Sequence, residues 1–260
     1  MKYLMALALL AGLTLPGTGQ AAIHCNLLVD AGTGKVLVRE GQCEQRVTPA
    51  STFKVAISLM GYDSGILVDT ATPQWPFREG YVDWLPEWRT TTSPAAWMKH
   101  SVVWYSQQVT TRLGAERFQS YLDRFDYGNR DASGNPGRND GLTQAWLGSS
   151  LKISADEQAV FLRKLVNRTL PVSPRAFDMT AALMRHARLR SGWDVYAKTG
   201  TGSEPGSPPH GWLVGWAVDG GRTVVFARLV QDEQRESRGR AGLRVRDAFM
   251  KELPALLEKL

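Results

Sequence analysis

Cysteine and histidine are scarce in this chain. Its 260 residues include two cysteines and four histidines, which are His24, His100, His186 and His210. Structural zinc sites take four such ligands, usually paired at short sequence spacings. No histidine has that spacing to another histidine or to a cysteine. The sequence therefore argues against a zinc site, and we predict no metal.

Long hydrophobic runs are also missing after residue 21. The sequence therefore predicts no transmembrane helix beyond the first 21 residues. Those 21 residues resemble an export signal, with Lys2 followed by an apolar run, 4–15, that is too short to span a membrane. Gly19-Gln20-Ala21 has the small-x-small pattern of a cleavage site. We expect a mature chain that begins near Ala22 and is periplasmic or secreted, with a retained N-terminal anchor as the alternative.

A strong basic run is lacking as well. The formal charge is +6, and no series of lysines and arginines alternates with aromatic residues as in nucleic-acid-binding proteins. Much of the excess lies in residues 235–246. A basic cleft for a small anionic substrate fits this distribution better than a polyanion-binding face, although a solvated helix face accounts for most such charges. We expect neither nucleic acid nor membrane as a partner.

The two cysteines flank a predicted hairpin. Cys25 and Cys43 lie outside two short apolar segments, 27–29 and 36–38, that enclose the turn 30–34. An antiparallel hairpin brings its far ends together, and a disulfide there would close about 17 residues and contribute roughly 3 kcal/mol. Two buried free thiols are the alternative, because the hairpin ends are not in register.

The order of predicted elements indicates an α/β (α+β) fold. We predict helices over 93–114, 115–125, 158–167, 175–188 and 238–259, and strands over 193–198, 212–218 and 223–230. Residues 154–157 form a capping box before the third helix. Strands near both termini predict one antiparallel sheet domain flanked by helices, 22–65 and 190–260, with a mainly helical domain, 66–189, inserted. We expect the ligand site in the cleft between the two domains.

Ser51 and Lys54 form the first candidate catalytic pair. Side chains three residues apart meet on one face of a helix. A serine hydroxyl is a poor nucleophile unless a base lies within hydrogen-bond distance. Lys54 could be that base if burial makes its amine neutral, and the apolar segment 55–61 predicts such burial. The spacing alone is weak, because Ser149 and Lys152 share it.

Three further elements follow in order: Ser101-Val102-Val103, Tyr127-Gly128-Asn129 and Lys198-Thr199-Gly200. Each is weak alone, since Ser101 is most simply a hydroxyl bonded to its own helix. Together with Ser51-x-x-Lys54 they resemble the penicillin-interacting serine enzymes. The chain resembles the class D (oxacillinase-type) β-lactamases in particular, through these elements and the segments 49–54, 144–147, 151–158 and 211–216.

This resemblance implies a β-lactamase that hydrolyses the β-lactam amide of penicillins, with other β-lactams left open. It implies that Ser51 forms the acyl-enzyme and that Lys54 is the general base as N6-carboxylysine. The chain would then need CO2 or bicarbonate and no other cofactor. Trp146 resembles the residue that donates a hydrogen bond to the carbamate, and Val103 is an apolar neighbour that supports it.

The resemblance also implies roles around the substrate. The backbone N–H groups of Ser51 and Thr201 would form the oxyanion hole, and Ser101 would relay a proton to the leaving nitrogen. Lys198 would be the fourth catalytic residue, after Ser51, Lys54 and Ser101, and with Thr199 it would meet the substrate carboxylate. The substrate-binding candidates are Thr199, Gly200, Leu147 and Arg246, with Arg244 as the alternative arginine.

One residue departs from the pattern. Trp104 follows the Ser-x-Val element where we expect proline, so this wall of the cleft is predicted to be reshaped. A β-lactam-sensing domain or a D,D-peptidase that acylates without efficient turnover is the alternative function. The sequence does not decide between a monomer and a homodimer.

Overall fold

An antiparallel sheet of six strands organises the part of the chain that the structure describes, residues 23–231 and 240–259 of a computed structural model. The predicted export signal lies outside the described residues. In spatial order the strands run β2-β1-β6-β5-β4-β3. Their bounds are β1 Ile23–Asp30, β2 Val36–Gly41, β3 Arg185–Arg188, β4 Asp194–Gly202, β5 His210–Asp219 and β6 Arg222–Gln231.

Helices cover the sheet and fill the segment between β2 and β3. Their bounds are α1 Lys54–Asp63, α2 Pro94–His100, α3 Val103–Leu113, α4 Ala115–Phe125, α5 Gly141–Gln144, α6 Ala155–Val166, α7 Pro174–Met184 and α8 Ala241–Glu258. Short 3-10 helices lie at Ala50–Phe53 and Pro86–Trp88. None of the helices described is long and apolar enough to cross a membrane. The α/β fold class is confirmed, whereas the division into two domains stays a prediction.

The strands bury both faces of the sheet. In β5, Trp212 and Trp216 pack into the larger core cluster with the helices that precede β3. The alternate residue Leu213 packs into a second cluster with Phe249 and Leu253 of α8. Successive side chains of a strand point to opposite faces, so α8 covers one face of the sheet and the remaining helices lie on the other. This arrangement places the N-terminal end of α8 beside the end of β4.

The N-terminal hairpin is confirmed. Strands β1 and β2 pair with Cys25 opposite Gly41, and the adjoining turn returns Cys43 to form a disulfide with Cys25. Gly41 has a φ of 80°, and a Cβ there would lie 2.3 Å from the carbonyl oxygen of His24. Only glycine fits so close to the neighbouring strand.

Two predicted helices are wrong in their extent. The helix predicted over 93–114 is broken into α2 and α3, because Ser101 adopts a left-handed conformation with φ 59° and ψ 35°. The helix predicted over 175–188 ends at Met184, and the next four residues form the edge strand β3. Arg188 of β3 pairs with Asp194 of β4 at 2.9 Å, an interaction that a helical periodicity does not reveal.

Two other helical predictions hold. Helix α4 has the predicted bounds, Ala115–Phe125. The predicted capping box is present at α6: the Ser154 side chain accepts a hydrogen bond from the Glu157 N–H, and the Glu157 side chain accepts one from the Ser154 N–H. The box starts the helix at Ala155, three residues before the predicted start.

Candidate active site

Ser51 and Lys54 meet where a 3-10 helix passes into α1. Lys54 Nζ lies 3.2 Å from Ser51 Oγ, and the Lys54 side chain is fully buried. Burial, and to a smaller extent the positive charge of Lys198, hold the pKa of Lys54 well below its usual value. An amine whose charged form is disfavoured therefore lies within hydrogen-bond distance of a serine hydroxyl, as a general base requires.

The segment before Ser51 is fixed from several sides. The carbonyl oxygen of Thr48 accepts hydrogen bonds from His210 Nε2 at 2.9 Å and Trp212 Nε1 at 3.1 Å. The Thr48 N–H donates to Glu204 Oε1 at 2.8 Å. Two residues later, Ala50 has a left-handed conformation with φ 49°, which a residue with a Cβ seldom adopts, and its N–H donates to the Trp146 carbonyl oxygen at 3.1 Å. Backbone strain of this kind persists where the surroundings impose it.

Ser101 and Lys198 form a second pair. The left-handed conformation of Ser101 ends α2, and Lys198 Nζ of β4 donates to Ser101 Oγ at 3.1 Å and to the carbonyl oxygen of Thr199 at 3.0 Å. Burial lowers the pKa of Lys198 to about 7, and the charges of Arg240 and Arg246 add to the effect. The break between α2 and α3 thus turns Ser101 toward the sheet.

Strand β4 passes directly along the Ser51 turn. A Cβ on Gly200 would lie 2.9 Å from the carbonyl oxygen of Pro49 and 3.2 Å from the backbone nitrogen of Thr52. Glycine at this position allows the two backbones to approach. Thr201 follows, and its Oγ1 accepts a hydrogen bond from the Gly242 N–H at 2.9 Å. The proposed oxyanion-hole donors therefore belong to two backbone segments that are in close contact.

A cleft of about 630 Å³ opens over these pairs. Of the predicted site residues, those that line it are Ser51, Ser101, Val103, Leu147, Thr199, Thr201 and Arg246. Lys54 and Trp146 are fully buried, and Lys198 is 5% exposed. Gly200 packs against the Ser51 turn and, like Arg244, is not among the residues that line this cleft. The structure thus brings the predicted residues together without testing their roles.

Trp146 carries a hydrogen-bond donor that no described residue accepts. Its Nε1 is buried and has no hydrogen-bond partner. The indole ring packs against Phe53 at 5.5 Å, and the Trp146 carbonyl oxygen accepts from the Ala50 N–H at 3.1 Å. A buried unpaired donor is costly. An anionic acceptor in this pocket would satisfy the donor.

Tyr127-Gly128-Asn129 supports the site from below and does not line the cleft. The Tyr127 ring packs against Phe53 at 5.1 Å. Asn129 Nδ2 donates to the carbonyl oxygen of Ser150, and its Oδ1 accepts from the Lys152 N–H. This element joins the chain after α4 to the segment that follows Trp146.

Trp104 lies beneath the cleft wall and is fully buried. Its Nε1 donates to the carbonyl oxygen of Trp88 at 2.9 Å, and its ring stacks on Tyr81 at 5.3 Å. Trp88 Nε1 in turn donates to the carbonyl oxygen of His100 at 3.0 Å. Trp104 therefore shapes the wall indirectly, by anchoring the segment that carries Trp88.

Sequence reasoning missed several residues at the rim. They are Trp84, Glu87, Lys99 and Arg240, all of which line the cleft. Trp84 is 64% exposed, which is unusual for so large an apolar side chain. The sequence of residues 69–94 is rich in proline and tryptophan, but nothing in it indicates which side chains face a ligand.

Known proteins resemble this chain over most of its length. Residues 24–255 match the Transpeptidase family, described as the penicillin binding protein transpeptidase domain. The chain is 44% identical to "Beta-lactamase OXA-9" of Klebsiella pneumoniae, over 90% of this chain and 88% of that protein. It is 39% identical to "Beta-lactamase OXA-1" of Escherichia coli, over 78% of this chain and 74% of that protein. The crystal structure of the OXA-427 class D β-lactamase superposes with a TM-score of 0.86 at 49% identity, covering 90% of this chain and 98% of that one.

Proposed function

The chain belongs to the class D β-lactamases and is a β-lactam hydrolase, and we propose that it opens the β-lactam amide through an acyl-enzyme on Ser51. The observation that carries the proposal is the 3.2 Å contact between Ser51 Oγ and the fully buried Lys54 amine. The expected product has an opened β-lactam ring, in which the former amide has become a carboxylic acid and an amine. One water is consumed.

In the acylation step, Ser51 Oγ attacks the lactam carbonyl carbon and the Lys54 side chain accepts the hydroxyl proton. Negative charge develops on the carbonyl oxygen, where the backbone N–H groups of Ser51 and Thr201 would stabilise it. The bond from the carbonyl carbon to the ring nitrogen then breaks, and Ser101 relays to that nitrogen the proton that Lys54 accepted. Ser101 suits this role because it lines the cleft while its Oγ is bonded to Lys198 Nζ.

Release of the acyl group requires a base for water. A neutral lysine is a weak choice for this step, and we propose that Lys54 reacts with CO2 to become a carbamate, which supplies an anionic base. Two features of the pocket suit that group: the pKa of Lys54 is depressed by burial, and Trp146 Nε1 is a buried donor without a partner. Val103, 2% exposed, adds an apolar side chain to the cleft, and apolar surroundings disfavour the charged form of an amine.

The substrate carboxylate would bind at the β4 end of the cleft. Lys198, Thr199 and Arg246 together line a second pocket there that shares Thr199 and Arg246 with the cleft, and the Arg246 side chain is about one-third exposed. Arg246 also contacts Asp247 at 2.7 Å, so the carboxylate would compete with a solvated ion pair, which is weak. Arg246 rather than Arg244 is the proposed arginine, because it lines the cleft.

Steady-state hydrolysis of benzylpenicillin tests this function, with and without added bicarbonate in CO2-depleted buffer. Ser51→Ala should abolish turnover, because it removes the nucleophile. Ser149→Ala is the matched control, since Ser149 has the same spacing to Lys152 but does not line the cleft. We expect Ser149→Ala to turn over benzylpenicillin at the wild-type rate. Bicarbonate should increase the rate of wild type and of Ser149→Ala.

The alternative function predicts a different time course. A sensing domain or a D,D-peptidase would consume about one equivalent of benzylpenicillin, retain it as the acyl-enzyme and then stop, with or without bicarbonate. Turnover by Ser51→Ala equal to that of wild type would contradict the proposed nucleophile.

We also propose that the enzyme acts outside the cytoplasm after removal of residues 1–21. The support is the signal-like pattern at Lys2 and residues 4–15. N-terminal sequencing of protein recovered from a periplasmic extract should begin near Ala22. Recovery of the full-length chain only from the cytoplasm would contradict this.

A further inference from the structure

The rim of the cleft carries an uneven distribution of charge. The charged side chains that line the cleft are Glu87, Lys99, Arg240 and Arg246 among the described residues. Glu87 is therefore the one carboxylate among them. Arg240 immediately precedes α8, and its terminal nitrogen lies 4.0 Å from Glu87 Oε1 on the 3-10 helix at Pro86–Trp88. The contact joins two parts of the rim that are distant in sequence.

This pair is weak enough for a ligand to replace it. The two side chains are 50% and 46% exposed, and their separation is at the limit of a direct ion pair. Exposed pairs of this kind contribute little because water screens them. An anionic group that enters the cleft can therefore take the place of Glu87 beside Arg240.

Glu87 belongs to the more fixed side of the pair. The neighbouring Trp88 is 3% exposed, its Nε1 donates to His100, and its carbonyl oxygen accepts from Trp104. Arg240 has a longer side chain with more rotatable bonds. Arg240 is thus the partner free to turn toward a ligand.

Arg240 lies near Lys198, which is proposed to bind the substrate carboxylate. Its charge and that of Arg246 both act on the pKa of Lys198. Arg240 and Arg246 are six residues apart, which corresponds to about 9 Å along a helix axis. Two negative charges on one small molecule can be separated by such a distance, with the first at Lys198 and Arg246 and the second at Arg240.

We propose that Arg240, held by Glu87 in the free enzyme, recognises β-lactams that carry a second negative charge on the ring substituent next to the ring carboxylate. This inference rests on the proposed function, because it takes the ring carboxylate to bind at Lys198. It makes Glu87 and Arg240 a specificity-determining pair, with Glu87 acting through Arg240.

The test compares three cephalosporins that share one acylamino side chain and differ at carbon 3. One has a neutral acetoxymethyl group, one an anionic triazinylthiomethyl group and one a cationic pyridiniomethyl group. Their apparent inhibition constants are measured against benzylpenicillin hydrolysis and expressed relative to the neutral compound. This ratio removes changes that affect all three ligands equally.

Glu87→Gln should tighten binding of the anionic compound about two- to fivefold relative to the neutral one, the range for an exposed charge pair. Arg240→Gln should weaken it by a similar factor, and the cationic compound should move in the opposite direction in both variants. Glu79→Gln is the matched control, because Glu79 is exposed in the same loop and does not line the cleft. Its ratios should equal those of wild type.

The double variant Glu87→Gln/Arg240→Gln distinguishes two ways in which Glu87 could act: through its contact with Arg240, or by direct repulsion of the anionic substituent. Ratios equal to those of Arg240→Gln alone support an action through Arg240. An undiminished effect of Glu87→Gln in the Arg240→Gln background, or unchanged ratios in both single variants, overturns the proposal. If wild type does not turn over benzylpenicillin, hydrolysis fails as the function, and the same ratios are then measured as rates of acyl-enzyme formation by mass spectrometry.

Discussion

Replacement of Trp146 by phenylalanine should raise the bicarbonate requirement of the enzyme and leave the first chemical step in place. The Trp146 ring is fully buried, and its Nε1 has no partner among the described residues. If that N–H stabilises a carbamate on Lys54, Trp146→Phe removes one hydrogen bond to a charged group. Such bonds contribute about 1.5–3 kcal/mol, which corresponds to roughly a 10- to 150-fold change in a binding constant. The bicarbonate concentration for half-maximal turnover should rise by that factor.

The assay is a bicarbonate titration of steady-state benzylpenicillin hydrolysis in CO2-depleted buffer, accompanied by rapid-quench measurement of the acyl-enzyme. At low bicarbonate, Trp146→Phe should show a burst of about one equivalent followed by slow turnover, because acylation precedes the step that needs the anionic base. With 13C-bicarbonate, the carbamate carbon signal should appear at higher concentrations in the variant than in wild type.

Trp97→Phe is the matched control. Trp97 is also fully buried, but its Nε1 donates to Ser106 Oγ at 2.9 Å and it does not line the cleft. Loss of this satisfied bond should lower the free energy of unfolding by about 1–3 kcal/mol more than Trp146→Phe does in CO2-depleted buffer. Its bicarbonate requirement should match wild type. An equal half-maximal bicarbonate concentration for Trp146→Phe and wild type would refute the reasoning.

Three other predictions concern the pH profile, the disulfide and the anchoring of the nucleophile turn. Because the pKa of Lys198 is lowered to about 7, its ammonium loses a proton as pH rises through neutrality, and kcat/KM should decline in that range. Lys198→Arg should remove this decline. A pH profile of the variant that still declines as in wild type would show that Lys198 is not the group that titrates. The double variant Cys25→Ser/Cys43→Ser should lose about 3 kcal/mol of unfolding free energy, measured by urea denaturation. Reductant should bring wild type to the same value. Equal stability of oxidised wild type and the double variant would contradict this prediction. Glu204→Gln weakens the hydrogen bond that anchors the Thr48 N–H. It should lower kcat about tenfold, which corresponds to roughly 1.4 kcal/mol, with little change in KM. An unchanged kcat would show that catalysis does not need this hydrogen bond.

Local chemistry made much of the fold predictable from sequence. The capping box at Ser154 and Glu157 specifies a helix start without help from distant residues, and it is present. The alternating pattern around Trp212–Val218 likewise predicts a strand, which the structure extends to His210–Asp219. Periodicity succeeds here because each segment has a constant environment along its length.

The break at Ser101 was not predictable in the same way. Residues 94–113 have a continuous helical pattern of apolar side chains, and serine rarely adopts a left-handed conformation. The conformation accompanies a contact with Lys198, 97 positions away in sequence. A functional contact of this separation leaves no periodic signal, so the motif had to be inferred from resemblance.

The charges at the rim show the same limit. Arg246 could be proposed because it fits the family pattern better than Arg244, but nothing near Arg240 in sequence indicated that it would meet Glu87, which is 153 positions away (240 − 87). Only the packing of α8 against the sheet brings these two residues to one cleft. The proposed specificity pair, Glu87 and Arg240, therefore depends on tertiary structure for its proximity, whereas Ser51 and Lys54 are near neighbours in sequence.

The most direct test of the account is to identify the residue that becomes acylated. Wild-type protein is mixed with benzylpenicillin, quenched in acid within the first turnovers, digested and sequenced by mass spectrometry. We predict one penicilloyl group on the peptide that contains Ser51 and none on the peptides that contain Ser101 or Ser149. A penicilloyl group on another residue, or sustained hydrolysis with Ser51 never modified, would contradict the central claim.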